Sequence, residues 1–165
     1  MALVDALLPE FDREMTTTRK VLERVPEDKF AWKPHAKSFS LGALAAHVAT
    51  LPTWGKETLD KSEIDIAGGQ PPAAPASKAE LLTAFDRHVA ATRSALAGRS
   101  DAELLATWTL KRGGTTIFSM PKTAVLRSFV FSHLIHHRGQ LCVYLRLLDV
   151  PVPSIYGPSA DEPAP

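Results

Sequence analysis

One cysteine, no long run of charge of either sign and no extended apolar stretch mark this 165-residue sequence. Cys142 has no second cysteine with which to close an intramolecular disulfide, which excludes a disulfide-stapled scaffold and leads us to expect a reducing, cytoplasmic setting. Nineteen Lys and Arg stand against eighteen Asp and Glu, a formal charge of +1. Nucleic-acid binding relies on a clustered basic surface, so no such partner is expected. No segment approaches the roughly 20 apolar residues that span a bilayer, so no membrane association is expected. The first ten residues carry an apolar stretch broken by Asp5 and stopped by Pro9, without a basic leader, and are not read as a signal peptide. Strand signals are few, and no internal repeat is found.

What is present is helical periodicity. With 45% hydrophobic residues the chain can bury one core, and it is read as a single domain over residues 1–165. A first helix is predicted from Leu3 to Val25, with Leu7, Leu8, Phe11, Met15, Val21 and Leu22 on its apolar side and Pro9 delaying or kinking it. A second begins after Ser38 or Ser40, carries Leu41, Leu44, Val48 and Leu51, and bends at Pro52. Residues 67–76 are rich in Gly, Pro and Ala and are assigned to a loop. Ser77 and Glu80 form a capping box for a third helix that closes at Gly98. Ser100 and Glu103 repeat that signal for a short helix, and Trp108–Phe118 reads as a hairpin or extended loop. The last and longest helix starts near Pro121 and runs to about Asp149, ahead of Pro151 and Pro153. The fold expected is all-α, a four-helix bundle with one crossover connection and a hairpin-like loop before the last helix.

On that last helix Leu126, Val130, His133, His137, Leu141, Tyr144 and Leu148 recur at three- and four-residue steps and share a stripe. An i, i+4 pair of imidazoles can share a metal ion, as in His-Glu-x-x-His sites, but His133-Leu-Ile-His-His137 lacks the glutamate base of those proteases. His47, among Leu44, Val48 and Leu51, is the natural third ligand. His136 is turned off the stripe by about 100°, and His35 and His88 are expected to be solvated. Trp54, Phe129 and Tyr144 are core residues that can also wall a pocket. Arg127, Arg138 and Arg146 are expected at the surface or in ion pairs.

The segment Leu41-Gly-Ala-Leu-Ala-Ala-His47, the run His133-Leu-Ile-His-His137-Arg-Gly-Gln-Leu141, the following Leu-Arg-Leu-Leu and the tail Val152-Pro-Ser-Ile-Tyr156-Gly-Pro-Ser159 resemble the DinB/YfiT-like metal-binding bundle proteins over essentially the whole chain. The resemblance implies a four-helix bundle, often a homodimer, that binds one nickel or zinc ion per chain. His47, His133 and His137 fall on the family's three ligand positions. Some relatives are transferases that use bacillithiol, mycothiol or glutathione, including a maleylpyruvate isomerase, and others are regarded as hydrolases.

Three neutral imidazoles leave a divalent ion its full charge and an open position, the mark of catalytic rather than structural sites. Two chemistries follow for a small-molecule substrate. One is a thiol S-transferase or isomerase in which the ion favours the thiolate of a low-molecular-weight thiol cosubstrate for attack on an electrophile. The other is a hydrolase using metal-bound hydroxide, which wants a general base; Glu57, ten residues after His47, is the candidate. The absence of a base from the motif itself favours thiol chemistry. A noncatalytic metal-binding protein is the third reading.

Overall fold

The computed structural model describes residues 2–69 and 73–163. Of the loop expected over 67–76, Gln70, Pro71 and Pro72 lie outside the described residues. The chain is mostly helical: α1 (Leu3–Glu23), α2 (Leu41–Thr50), α3 (Pro52–Asp60), α4 (Lys78–Leu96), α5 (Asp101–Leu105), α6 (Lys122–Val125) and α7 (His133–Leu147), with a π-helical stretch, Leu126–Ser132, joining the last two.

Three helices, α2, α4 and α5, begin at a serine whose hydroxyl relieves an unpaired amide. The Ser40 hydroxyl accepts from Ala43 N at 3.2 Å and opens α2, and Pro52 then starts α3 as its first residue, where the missing N–H costs nothing. Pro52 therefore splits the expected second helix in two, whereas α1 runs through Pro9 unbroken. Ser77 caps α4 through Glu80 N, but the Glu80 carboxylate reaches back to Ala76 N rather than to Ser77 N, so the expected capping box is half made. The box of Ser100 and Glu103 is complete. Asp149 ends the last helix at φ 57°, a left-handed position that Asp tolerates better than most side chains.

The all-α expectation is corrected by a three-stranded sheet: β1 (Glu63–Asp65) lies parallel to β2 (Thr107–Arg112), which pairs antiparallel with β3 (Thr115–Pro121). The hairpin was legible because Gly113 and Gly114, both at positive φ, permit the two-residue turn that the strand twist favours. Glu63-Ile64-Asp65 was not, since three residues with one apolar side chain carry no pattern and their ladder is supplied by β2. Asp65 fixes the join, its carboxylate accepting from Gly113 N at 2.9 Å and Gly114 N at 2.7 Å.

Helix α4 packs on α1, α2 and α3, and α7 on α1 and α2. Their facing stripes form the main core, with Phe11, Leu22, Leu44, Phe85, Phe131, Leu134 and Leu141 at 1% exposure or less; each such side chain contributes about 1.5–3 kcal/mol on burial. Trp108, Leu110 and Val125 form a smaller core between the sheet, α6 and the π-helical stretch. Phe129 belongs to that second cluster, and it carries the sheet's packing to the histidines.

Candidate metal centre

His133 and His137 are one turn apart on α7, so both rings leave the same face. His47 comes from α2, which packs against α7. One nitrogen from each ring lies within 4.8 Å of the others, a spacing one ion can bridge. His47 Nε2 and His133 Nε2 are 3.3 Å apart. Two nitrogens each bound at zinc distance in a tetrahedral arrangement sit roughly 3.3–3.4 Å apart, so this pair fits a shared ion. His137 Nδ1 is 2.7 Å from Gln140 Oε1. Donating that proton holds the ring as the tautomer whose Nε2 lone pair is free, the usual arrangement behind a metal-ligating histidine.

The surroundings disfavour charge on the rings. Burial, then repulsion from His137 and His133, pushes the His47 ring from 6.5 to about 4. His133 and His137 are also lowered, burial first, with backbone bonding to Phe129 opposing the shift at His133 and Gln140 opposing it at His137. Neutral imidazoles are what a cation needs, since a proton and an ion compete for one lone pair.

The same shifts set a pH dependence for the metal-free protein. Between pH 6.5 and about 4 the unfolded chain protonates His47 while the folded chain does not, so the unfolded state binds more protons and stability rises with pH. This contribution is complete above 6.5 and is lost as pH falls toward 4. Thermal denaturation across that window, with metal removed, is expected to show a fall in Tm toward acid that is shallower in His47→Gln. An equal slope in the variant would contradict the assignment.

Aromatic rings wall the centre. Phe39 stacks on His47 with centroids 6.1 Å apart and planes 27° apart. Phe129 lies 5.7 Å from His133 and in turn meets Trp54 at 5.2 Å and Phe118 at 5.9 Å. The loop carrying Phe39 is fastened to α7 because the Tyr144 hydroxyl donates to the Phe39 carbonyl at 3.3 Å. It is also fastened to itself: Gly42 N donates to the Phe30 carbonyl, and a Cβ at Gly42 would meet Phe30 Cβ at 3.0 Å. The π-helical stretch ends at Ser132, immediately before His133. Within it the Ser128 hydroxyl occupies the Ala124 carbonyl at 2.6 Å, which competes with the ordinary helical bond there. Such π segments recur at functional sites because they re-aim the residues that follow.

The remaining expected positions sort clearly. Glu57 is half-buried on α3 and paired with Lys61, outside the histidine group, which holds no carboxylate among the described residues. His136 is exposed, and His35 lies in an exposed turn. His88 corrects expectation: it is half-buried, and its Nδ1 donates to the Ala49 carbonyl at 2.9 Å. Arg127 pairs with Glu10 and Arg146 with Asp161 at the surface. Arg138, by contrast, is 1% exposed and paired with buried Glu14 at 2.8 Å. Cys142 is partly buried, and burial raises its thiol pKa.

Gln140 and Phe39 went unnoticed as parts of the site. Gln140 stands three residues after His137, a spacing at which helical side chains meet, so its signal was available. Phe39 precedes the Ser40 cap and reaches His47 only through the path of the loop.

The fold is shared with solved structures, three of which illustrate the likeness. A DinB-like protein from Bacillus cereus is 22% identical, with 92% of this chain and 97% of that chain covered at a TM-score of 0.71. The DinB-like protein YjoA from Bacillus subtilis is 19% identical, with 88% and 95% covered at 0.67. A protein from Exiguobacterium sibiricum described as a member of the DinB family is 22% identical, with 90% and 94% covered at 0.63. At these identities the likeness establishes the architecture alone. No curated protein matches the chain. The family model of the DinB family matches residues 2–165, and with it this chain belongs to the DinB family.

Proposed function

We propose that the protein binds one divalent metal ion, nickel or zinc, through His47, His133 and His137, and uses it as a thiol-dependent transferase or isomerase acting on a small electrophile. The observation that carries this reading is the convergence, from two helices, of three half-buried imidazoles on which burial disfavours charge. A divalent ion held by three neutral ligands keeps its charge and favours the anionic form of a thiol.

The chain's own groups would do the rest. Gln140 holds the His137 ring in its tautomer, and Phe39 and Phe129 flank the rings and limit the approach of water. Glu57 is engaged by Lys61, and among the described residues the histidine group contains no carboxylate to serve the hydrolytic alternative as general base. In this reading helix α1, the α2–α3 pair, α4 and the α6–α7 rod are the four arms of a bundle, and the exposed Val143 and Leu147 on α7 offer an apolar strip for a homodimer. No helix among the described residues is long and apolar enough to cross a membrane, which accords with a cytoplasmic enzyme of small molecules.

The test is conjugation of glutathione to a chromogenic electrophile by metal-loaded protein. Product formation is expected to stop on chelation and return when zinc or nickel is restored. Equal rates in chelated and loaded protein would overturn the transferase reading.

A further inference from the structure

Beside the triad, the loop before α2 and the outer side of α7 form an open cavity of about 220 Å³ lined by Lys37, Ser38, Phe39, His137, Gln140 and Tyr144. This is below the roughly 300–1,000 Å³ of drug-sized sites, so the occupant it fits is small.

The polar groups here are one-sided. Lys37 brings an ammonium that, like those of Lys20, Lys33, Lys78 and Lys122, has no carboxylate partner among the described residues and is free to meet an anion. Gln140 commits its carbonyl to His137 Nδ1, which leaves its amide NH₂ as a donor. Ser38 adds a hydroxyl. No acidic side chain lines the cavity. The rest of the wall is aromatic, from the exposed Phe39 ring and from Tyr144, whose hydroxyl is already engaged with the Phe39 carbonyl.

We propose that this cavity binds a small organic carboxylate, its charged end on Lys37 and Gln140 and its apolar body against Phe39 and Tyr144. The inference names the substrate class of the metal centre proposed above and rests on that reading. A single ammonium with one amide donor matches the two oxygens and single charge of a planar carboxylate, and the aromatic wall matches an apolar body that inorganic phosphate lacks. His137 is shared by the cavity and the triad, so a ligand seated here lies one ring from the ion's position.

Benzoate is the probe, titrated calorimetrically into zinc-loaded and zinc-free wild-type protein, Lys37→Ala and Lys37→Arg, with neutral benzamide and inorganic phosphate as comparators. Lys37 is exposed in a loop, and circular dichroism verifies that both variants are folded. Benzoate is expected to bind wild type, to weaken by roughly tenfold or more in Lys37→Ala, and to recover in Lys37→Arg; benzamide is expected to bind less tightly than benzoate by a similar factor. Equal benzoate affinity in Lys37→Ala and wild type, or equal affinity for benzoate and benzamide, would overturn the proposal. Phosphate displacing benzoate at equal concentration would overturn the carboxylate assignment in favour of a general anion site. Zinc content measured on the same samples separates the two readings: full zinc without benzoate binding defeats this inference alone. Lys37-dependent benzoate binding by protein that takes up no zinc supports the cavity and defeats the metal centre.

Discussion

Replacing His133 and His137 together by alanine is expected to abolish metal binding while leaving a folded protein. Two of three ligands are removed, and the remaining His47 is a single neutral imidazole. Loss of a hydrogen-bonding partner behind a ligand costs about 10–100-fold in affinity, so loss of two ligands themselves should exceed that range. The fold should survive because the two rings lie at the edge of the core, while Leu134 and Leu141, which hold the same helix in place, are fully buried and untouched. Burial already disfavours charge on these rings, so their removal takes no paired charge from the interior. The measurement is elemental analysis together with the thermal shift on adding zinc. In wild type, zinc at 100 times its dissociation constant raises stability by about 2.7 kcal/mol. The double variant should show neither the metal nor the shift. Retention of one ion per chain by the variant would place the metal elsewhere and defeat the site.

Arg138→Ala should unfold the protein more readily than any substitution among the surface arginines. Arg138 Nη2 lies 2.8 Å from Glu14 Oε2 and 2.7 Å from the Tyr156 hydroxyl, while its Nη1 donates to the Glu14 carbonyl at 3.2 Å and the Thr18 hydroxyl at 3.1 Å. The Tyr156 hydroxyl in turn donates to Glu14 Oε2 at 2.9 Å. Glu14 is 5% exposed, so removing the guanidinium leaves a buried carboxylate without its counter-charge. Breaking such a pair costs about 3–5 kcal/mol. For a chain of this size that is a fall in Tm of roughly 6–20 °C. Replacing both charges, as in Glu14→Met with Arg138→Leu, should recover much of the loss, because the penalty comes from the unpaired charge rather than from the absent bond. A double variant no more stable than Arg138→Ala would refute that account.

This cluster also explains the course of the C-terminal tail. Tyr156 exposes 56% of its surface, yet its hydroxyl is one of the points at which residues 150–163 attach to α1 and α7. Asp161 and Glu162 fold the tail against itself and against Arg146 and Arg24, with Asp161 accepting from Val152 N and Glu162 from Ser154 N. The Tyr-Gly-Pro-Ser run was visible as a motif, but its attachment depends on Glu14, 142 residues earlier in the chain. Nothing local to either position signals the other.

Where the sequence was decisive, the cause was local and periodic. Serine caps, prolines at first-turn positions and the three- and four-residue recurrence of apolar side chains depend on neighbours along one helix, so α1, α2, α4 and α7 could be placed and His133 paired with His137. Elsewhere the determinant was a partner distant in the chain. Strand β1 exists because β2 offers it a ladder. Arg138 carries the same composition signal as Arg127 and Arg146, and only the placement of Glu14 takes it from surface to interior. The triad lies between these cases. Spacing alone sets His133 beside His137, because one turn of helix fixes two rings on one face. That His47 meets them at 3.3 Å, that Gln140 orients one ring and that Phe39 stacks on another follow from helices and a loop packed together. The pattern of one helix names two ligands, and closing the third side is work that only tertiary packing can do.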